Sequence, residues 1–213
     1  LTTKEKKFED VVIPMETYKE MLCYINLMLQ STNIAHHELA IAALHPLFYT
    51  IRADRLDPLP FLLKEWKPAV YRRKHGHILI ELVHETLKTL DTAKNCFKGR
   101  EKETISKKSN ETDMDSYITS CLRFDENEYF ERIVTNSTVR FYTVILNDYR
   151  VTNTTVQHYI YCFLQRMYAH KIENDRYGLS QGDSGANGAT STGMSNVTLV
   201  YLLFNIVTLN AIN

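Results

Sequence analysis

His77, Glu81 and His84 fall at i, i+4 and i+7 and so share one face of any helix that holds them. Glu81-x-x-His84 is half of the paired motif from which helical bundles build di-iron carboxylate centres, but no second Glu-x-x-His occurs in the chain. The three side chains would suffice for a zinc ion. Lys74 and Lys88 give the same face a solvated character, however, so an exposed polar stripe is the favoured expectation. His36-His37-Glu38 cannot aim two adjacent imidazoles at one metal from a helix without distortion. Four cysteines (Cys23, Cys96, Cys121 and Cys162) are scattered with no CxxC pair, which points to reduced thiols rather than a disulfide framework or a zinc site. No nucleophile elbow, phosphate-cradling glycine loop or recognisable Cys/His spacing is present. The residues therefore assign no catalytic group, no metal and no cofactor.

A different chemistry is offered by Lys64, Lys67, Arg72, Arg73 and Lys74, which surround Trp66 and Tyr71 near a predicted helix break. Lys67, Arg72, Arg73 and Lys74 could hold the phosphates of double-stranded DNA without regard to sequence. The plainer reading is a solvated face over a buried tryptophan. Lys98–Lys108 is interleaved with Glu101 and Glu103 and largely neutralises itself.

The elements that must position these groups follow from composition and periodicity. In 213 residues, 25 basic side chains balance 25 acidic ones, which excludes a strongly basic nucleic-acid protein though not a local patch. Apolar residues at 44% and charged residues at 23% exclude global disorder. The chain has 7 glycines and 5 prolines, five of the glycines lie between Gly178 and Gly193, and no proline follows Pro68. Such a chain cannot easily make the tight turns of an all-β fold. An α-helical fold is predicted.

Tyr18, Leu22, Ile25 and Leu29 mark a helix from about Met15 to Gln30. Asn33 caps a second, through Leu39, Ile41 and Leu44, which Pro46 must kink or end. Asp57-Pro58 starts a third through Phe61, Leu62 and Trp66. A long fourth helix from Ala69 to Phe97 carries Ile80, Val83, Leu87 and Leu90, with Gly76 as its one weak point. Residues 1–97 thus form a first helical block, and 98–124 a polar linker. The second block, 125–177, opens with a capping box, Asp125-x-x-Glu128. Asn136-Ser137-Thr138 and Asn153-Thr154-Thr155 cap two further helices. The last carries Val156, Tyr159, Ile160, Phe163, Leu164, Met167, Tyr168 and Ile172 as an unbroken apolar face. A flexible Gly/Ser/Asn-rich insertion (178–196) precedes a terminal apolar helix (197–213). The architecture predicted is all-α, an α-solenoid fragment or irregular helical array.

Residue 1 is leucine, so the sequence reads as a fragment or a mature form. Four sequons, at Asn110, Asn136, Asn153 and Asn196, together with the apolar terminal run, keep open an extracellular, glycosylated, lipid-anchored helical protein. That run is short and polar for a membrane span, and a truncated helix is the favoured reading.

The block FDENEYFERIVTNSTVRFYTVILNDYRVTNTTVQHYIYCFLQRMYAHKI resembles the central segment of the Timeless family of replication-fork proteins. The likeness rests on an acidic-aromatic lead-in followed by Val139, Tyr142, Leu146 and Tyr149 on one helix. His158, Leu164, Arg166 and Met167 on the next complete it. The helix Ala69–Leu90 is similar to the stretch upstream in that family, and VYLLFNIV to the apolar helix that follows. The linker at 98–115 is shorter than the family's, and the insertion at 178–196 departs from its pattern. The resemblance implies an armadillo/HEAT-like, non-enzymatic nuclear scaffold. It implies binding to a small Tipin-type subunit and to other replisome components, in support of fork stability, checkpoint signalling and cohesion. A circadian-type paralogue shares the architecture. More aromatics are present than one core face needs, so Tyr142, Tyr149, Tyr159 and Tyr161 are the expected builders or borders of the partner surface. No small-molecule substrate or membrane is expected.

Overall fold

The computed structural model describes residues 3–49, 58–67, 71–106, 124–147 and 152–180. Its side chains are defined for 11–49, 58–67, 71–98, 124–147 and 152–170. Every element among them is an α-helix: α1 (Thr3–Gln30), α2 (Ile34–Phe48), α3 (Leu59–Glu65), α4 (Arg73–Ser106), α5 (Glu126–Ile133), α6 (Asn136–Asn147) and α7 (Thr154–Ser180). The all-α class is as expected. α7 runs to Ser180, so the first three residues of the predicted insertion 178–196 are helical; Asp57, Tyr149, residues 107–123 of the linker, 181–196 of the insertion and the terminal run 197–213 lie outside the described residues.

Local signals set most helix starts. Asn33 accepts the amide of Ala35 at 3.0 Å, Asp125 accepts those of Asn127 and Glu128, and Asn153 accepts that of Thr155 at 3.0 Å. Each satisfies donors that the first turn leaves without intrahelical partners. The cap of α6 is displaced from the expected Asn136-Ser137-Thr138. Thr135 accepts the Thr138 amide, while the Thr138 hydroxyl, wholly buried, donates to the Ile133 carbonyl at 2.6 Å. A hydroxyl bent back onto the preceding helix is unavailable as a cap, so the residue three positions upstream takes that role.

The bounds of α1 and α4 differ from expectation, while α2 stops close to its proline as expected. α1 begins at Thr3 and runs through Pro14, because Val11, Val12 and Met15, flanking the proline, all pack on the core and offset its lost hydrogen bond. α2 ends within a turn of Pro46, the Tyr49 amide closing on the His45 carbonyl. α4 starts at Arg73 rather than Ala69 and continues to Ser106, nine residues into the segment read as linker. Glu101, Lys102 and Glu103 are strong helix formers, which favours the extension.

One hydrophobic core spans both halves of the chain, from Met15 to Met167. Its axis is α4, about 50 Å long at 1.5 Å per residue, which packs against α1, α3, α6 and α7. Between Ile78 and Leu90 most of its positions are buried, including Thr86 and Thr89 as well as the aliphatics, with Lys88 exposed and Glu81 and His84 partly so. In a solenoid each helix pair would touch only its neighbours. Here α1 packs on α4, and α3 on both α5 and α6, so the arrangement is a cluster around one long rod. Phe48, Tyr49, Phe97, Phe124 and Tyr129 meet at centroid separations of 5.1–6.4 Å, edge-on except for the tilted Phe124–Tyr129 pair, and tie α2 and α4 to the entrance of α5. Phe61 is exposed. Leu59, Leu62, Leu63 and Trp66 fill the buried side of α3 instead.

Gly76 is a contact rather than a weak point. A Cβ there would lie 2.8 Å from Ile145 Cδ1, 3.3 Å from Phe141 Cε2 and 3.4 Å from Trp66 Cζ2, so its missing side chain lets α6 and Trp66 close on the first turn of α4.

Candidate interaction site

The expected polar stripe is divided between two neighbouring helices. Glu81 accepts a hydrogen bond from Lys19 of α1 at 2.9 Å, and that bond is the main reason the Lys19 ammonium titrates above its usual range. His84 turns to α7 and stacks on Tyr159, ring centroids 3.9 Å apart and 18° from parallel. His77 is half-buried with no hydrogen-bond acceptor or donor for Nε2, and burial and then Arg73 push its pKa down. The stripe is thus a set of interhelical contacts and not a solvated face, because α1 and α7 both close over it. Among the described residues no three side chains stand at metal-ligating spacing.

Between α4 and α7 lies a cleft of about 320 Å³. Its floor is apolar and aromatic: Val83, Leu87, Tyr142 and Phe163, the last two stacked at 4.2 Å and 7°. His84, Tyr159 and Cys162 form one wall. Its rim carries Lys88, Asp91, Thr92, Asn95 and Arg166, with Arg166 Nη2 paired to Asp91 Oδ2 across the two helices. Lys88 reaches Glu85 only at 3.3 Å and is half exposed. Cys162 Sγ lies 3.5 Å from His158 Nε2 one turn earlier. Burial pushes the His84 pKa below that of a free imidazole, and Lys88, His158 and Arg166 push in the same direction against Glu85.

The tyrosines singled out by sequence separate here. Tyr142 is 1% exposed and belongs to the core, its inner position on α6 forming part of the cleft floor. Tyr159 lines the cleft, Tyr161 is 47% exposed on the outside of α7, and Tyr149 lies beyond the described residues. Lys67, Arg72, Arg73 and Lys74 are all exposed, and the last three open α4 with no acidic residue in its first turn. Trp66 beneath them is buried, edge-on to Phe141 at 4.5 Å, with its indole N–H lacking an oxygen or nitrogen acceptor. On α1 a separate apolar stripe, Ile13, Tyr24 and Leu27, is exposed.

Sequence reasoning missed the cleft. Asp91 and Arg166 stand 75 positions apart, and their pairing has no periodic signature. Arg166 entered only as an element of the Timeless-like pattern. No described helix is long and apolar enough to cross a membrane. Compared with models of protein families, with curated protein sequences and with solved structures, the chain shows no match.

Proposed function

We propose that the chain is a non-enzymatic nuclear scaffold of the Timeless type that binds a small Tipin-type subunit and works at the replisome in fork stability, checkpoint signalling and cohesion. The observation that carries this reading is the pattern over 125–172. Of its positions, Tyr142, Leu146, Leu164 and Met167 are buried in α6 and α7, Val139 and Arg166 are half-buried and His158 is exposed. The comparisons add no support. A cleft beside that hairpin and exposed aromatic and aliphatic side chains on α1 and α7 agree with it. The basic opening of α4 supplies a sequence-independent contact to duplex DNA through Lys67, Arg72, Arg73 and Lys74.

Co-purification of the full chain with a Tipin-type subunit tests the first part. A stoichiometric complex is expected, and its absence at micromolar concentrations of both proteins refutes the assignment. Anisotropy of a labelled duplex tests the second. Affinity should fall steeply with salt, and reversing Arg72, Arg73 and Lys74 to glutamate should weaken binding by about tenfold or more and flatten the salt slope. Binding indifferent to the reversal removes the DNA contact and leaves the scaffold reading intact.

A further inference from the structure

We propose that Cys96 is a modification site, a thiol held against a fixed imidazole and taking up small disulfides by thiol–disulfide exchange. This goes beyond the partner-binding reading and does not depend on it.

Cys96 of α4 and His37 of α2 are 59 positions apart, and the fold brings Sγ to 3.7 Å from Nδ1. On its other side the ring meets the Ser31 carbonyl, 2.5 Å from Nε2. A carbonyl oxygen can only accept, so Nε2 carries the proton of the neutral ring and Nδ1 is left as the acceptor. The thiol hydrogen is therefore the donor to Nδ1. Ser31 is itself held in the turn between α1 and α2. Its amide donates to the Met28 carbonyl at 3.2 Å, and its hydroxyl accepts the Asn33 amide at 3.1 Å. Thiol, base and orienting group thus stand in the order that activates a nucleophile in covalent catalysis. Both side chains are half-buried, which suits a small reagent better than a protein substrate.

The other described cysteines lack this arrangement. Burial and then Glu85 push the Cys23 thiol up, which lowers its thiolate fraction. Cys162 lies 3.5 Å from His158 Nε2, but among the described residues no hydrogen bond fixes the other nitrogen of that ring. The surroundings of Cys96 also select the reaction. It lies well inside α4, where backbone amides are taken by carbonyls one turn back, so none is offered to an oxyanion as acyl transfer requires. Disulfide exchange develops its charge on sulfur and needs only a thiolate and a proton carrier. The Sγ–H proton passes to Nδ1 as Sγ bonds to one sulfur of the reagent. The reagent's S–S bond breaks with its electron pair on the second sulfur, which takes the proton from His37 and leaves as a thiol. Cys96 ends oxidised in a mixed disulfide, and one reagent sulfur ends reduced.

The test uses the full chain and dithiodipyridine, with peptide mass spectrometry giving a rate for each cysteine. Cys96 should react about tenfold or more faster than Cys23. His37→Gln keeps an N–H for the Ser31 carbonyl but cannot take up a proton. It should slow Cys96 by about tenfold or more while leaving Cys23 and Cys162 unchanged. Heteronuclear NMR of the parent should show His37 as the Nε2–H tautomer. A Cys96 rate at or below that of Cys23, an unmoved Cys96 rate in His37→Gln, or the Nδ1–H tautomer overturns the proposal. If His37→Gln speeds every cysteine alike, the fold has opened, and the parent's rates and tautomer decide.

Discussion

Replacing Tyr142 by alanine separates a core role from an interface role. The ring is 1% exposed, stacks on Phe163 of α7 at 4.2 Å and meets Phe141 edge-on at 5.2 Å. Truncating a buried aromatic of this kind costs about 3–5 kcal/mol, which combines lost transfer energy with the cavity left behind. A domain of this size is stable by only about 5–15 kcal/mol. At about 2–4 °C per kcal/mol, the melting temperature should fall by roughly 6–20 °C. Tyr161, 47% exposed on the same hairpin, should cost no more than about 0.5 kcal/mol when changed to alanine.

Urea unfolding followed by far-ultraviolet circular dichroism measures both variants. A Tyr142→Ala loss below about 1 kcal/mol would mean that the ring does not fill the space between α6 and α7, and the described packing of the hairpin would be wrong. The contrast also governs how binding data are read. Loss of partner binding in Tyr142→Ala reports a damaged fold, whereas the same loss in Tyr161→Ala, with stability intact, reports a contact.

Three further outcomes follow from particular contacts. Gly76→Ala would ordinarily stabilise a helix by up to about 1 kcal/mol. Here the new methyl must displace Ile145 Cδ1 from 2.8 Å, so the gain should vanish, and Gly76→Val should lose about 1–3 kcal/mol in the same unfolding assay. A Gly76→Val variant as stable as the parent would contradict the close approach of α6. Asp125→Ala removes the acceptor of two amides at the start of α5 and should cost about 1 kcal/mol, with Asp125→Ser recovering most of it. His84 carries a pKa lowered from 6.5, first by burial and then by Lys88, His158 and Arg166 against Glu85, beneath the Tyr159 ring. The unfolded chain therefore takes up its proton first, and this contribution to stability is complete above about pH 6.5 and lost as the pH falls below it. The parent should lose more stability than His84→Gln between neutral and mildly acidic pH, and parallel losses would remove His84 from the account.

What the sequence made legible was whatever depends on near neighbours. The caps at Asn33, Asp125 and Asn153 and the stripes Leu22-Ile25-Leu29 and Ile160-Phe163-Leu164-Met167 were readable because a turn of helix fixes the geometry that makes them work. Gly76 was misread for the converse reason. Helix propensity judges a glycine by its own backbone, and the benefit of this one lies on Ile145, Phe141 and Trp66 of other elements. The histidine–glutamate stripe was misjudged in the same way. Its spacing showed correctly that His77, Glu81 and His84 share a face, but Lys19, 62 positions before Glu81, and Tyr159 decide whether that face meets water. The cleft is the extreme case. Every side chain on its rim looks like an ordinary solvated helix residue until α4 and α7 are laid together. Only then does Arg166 face Asp91 over an aromatic floor. A long central rod makes such sites common, because α4 presents different faces to α1, α3, α6 and α7. Each groove between them combines residues from distant parts of the chain, so function carried by grooves is what single-sequence periodicity sees least well.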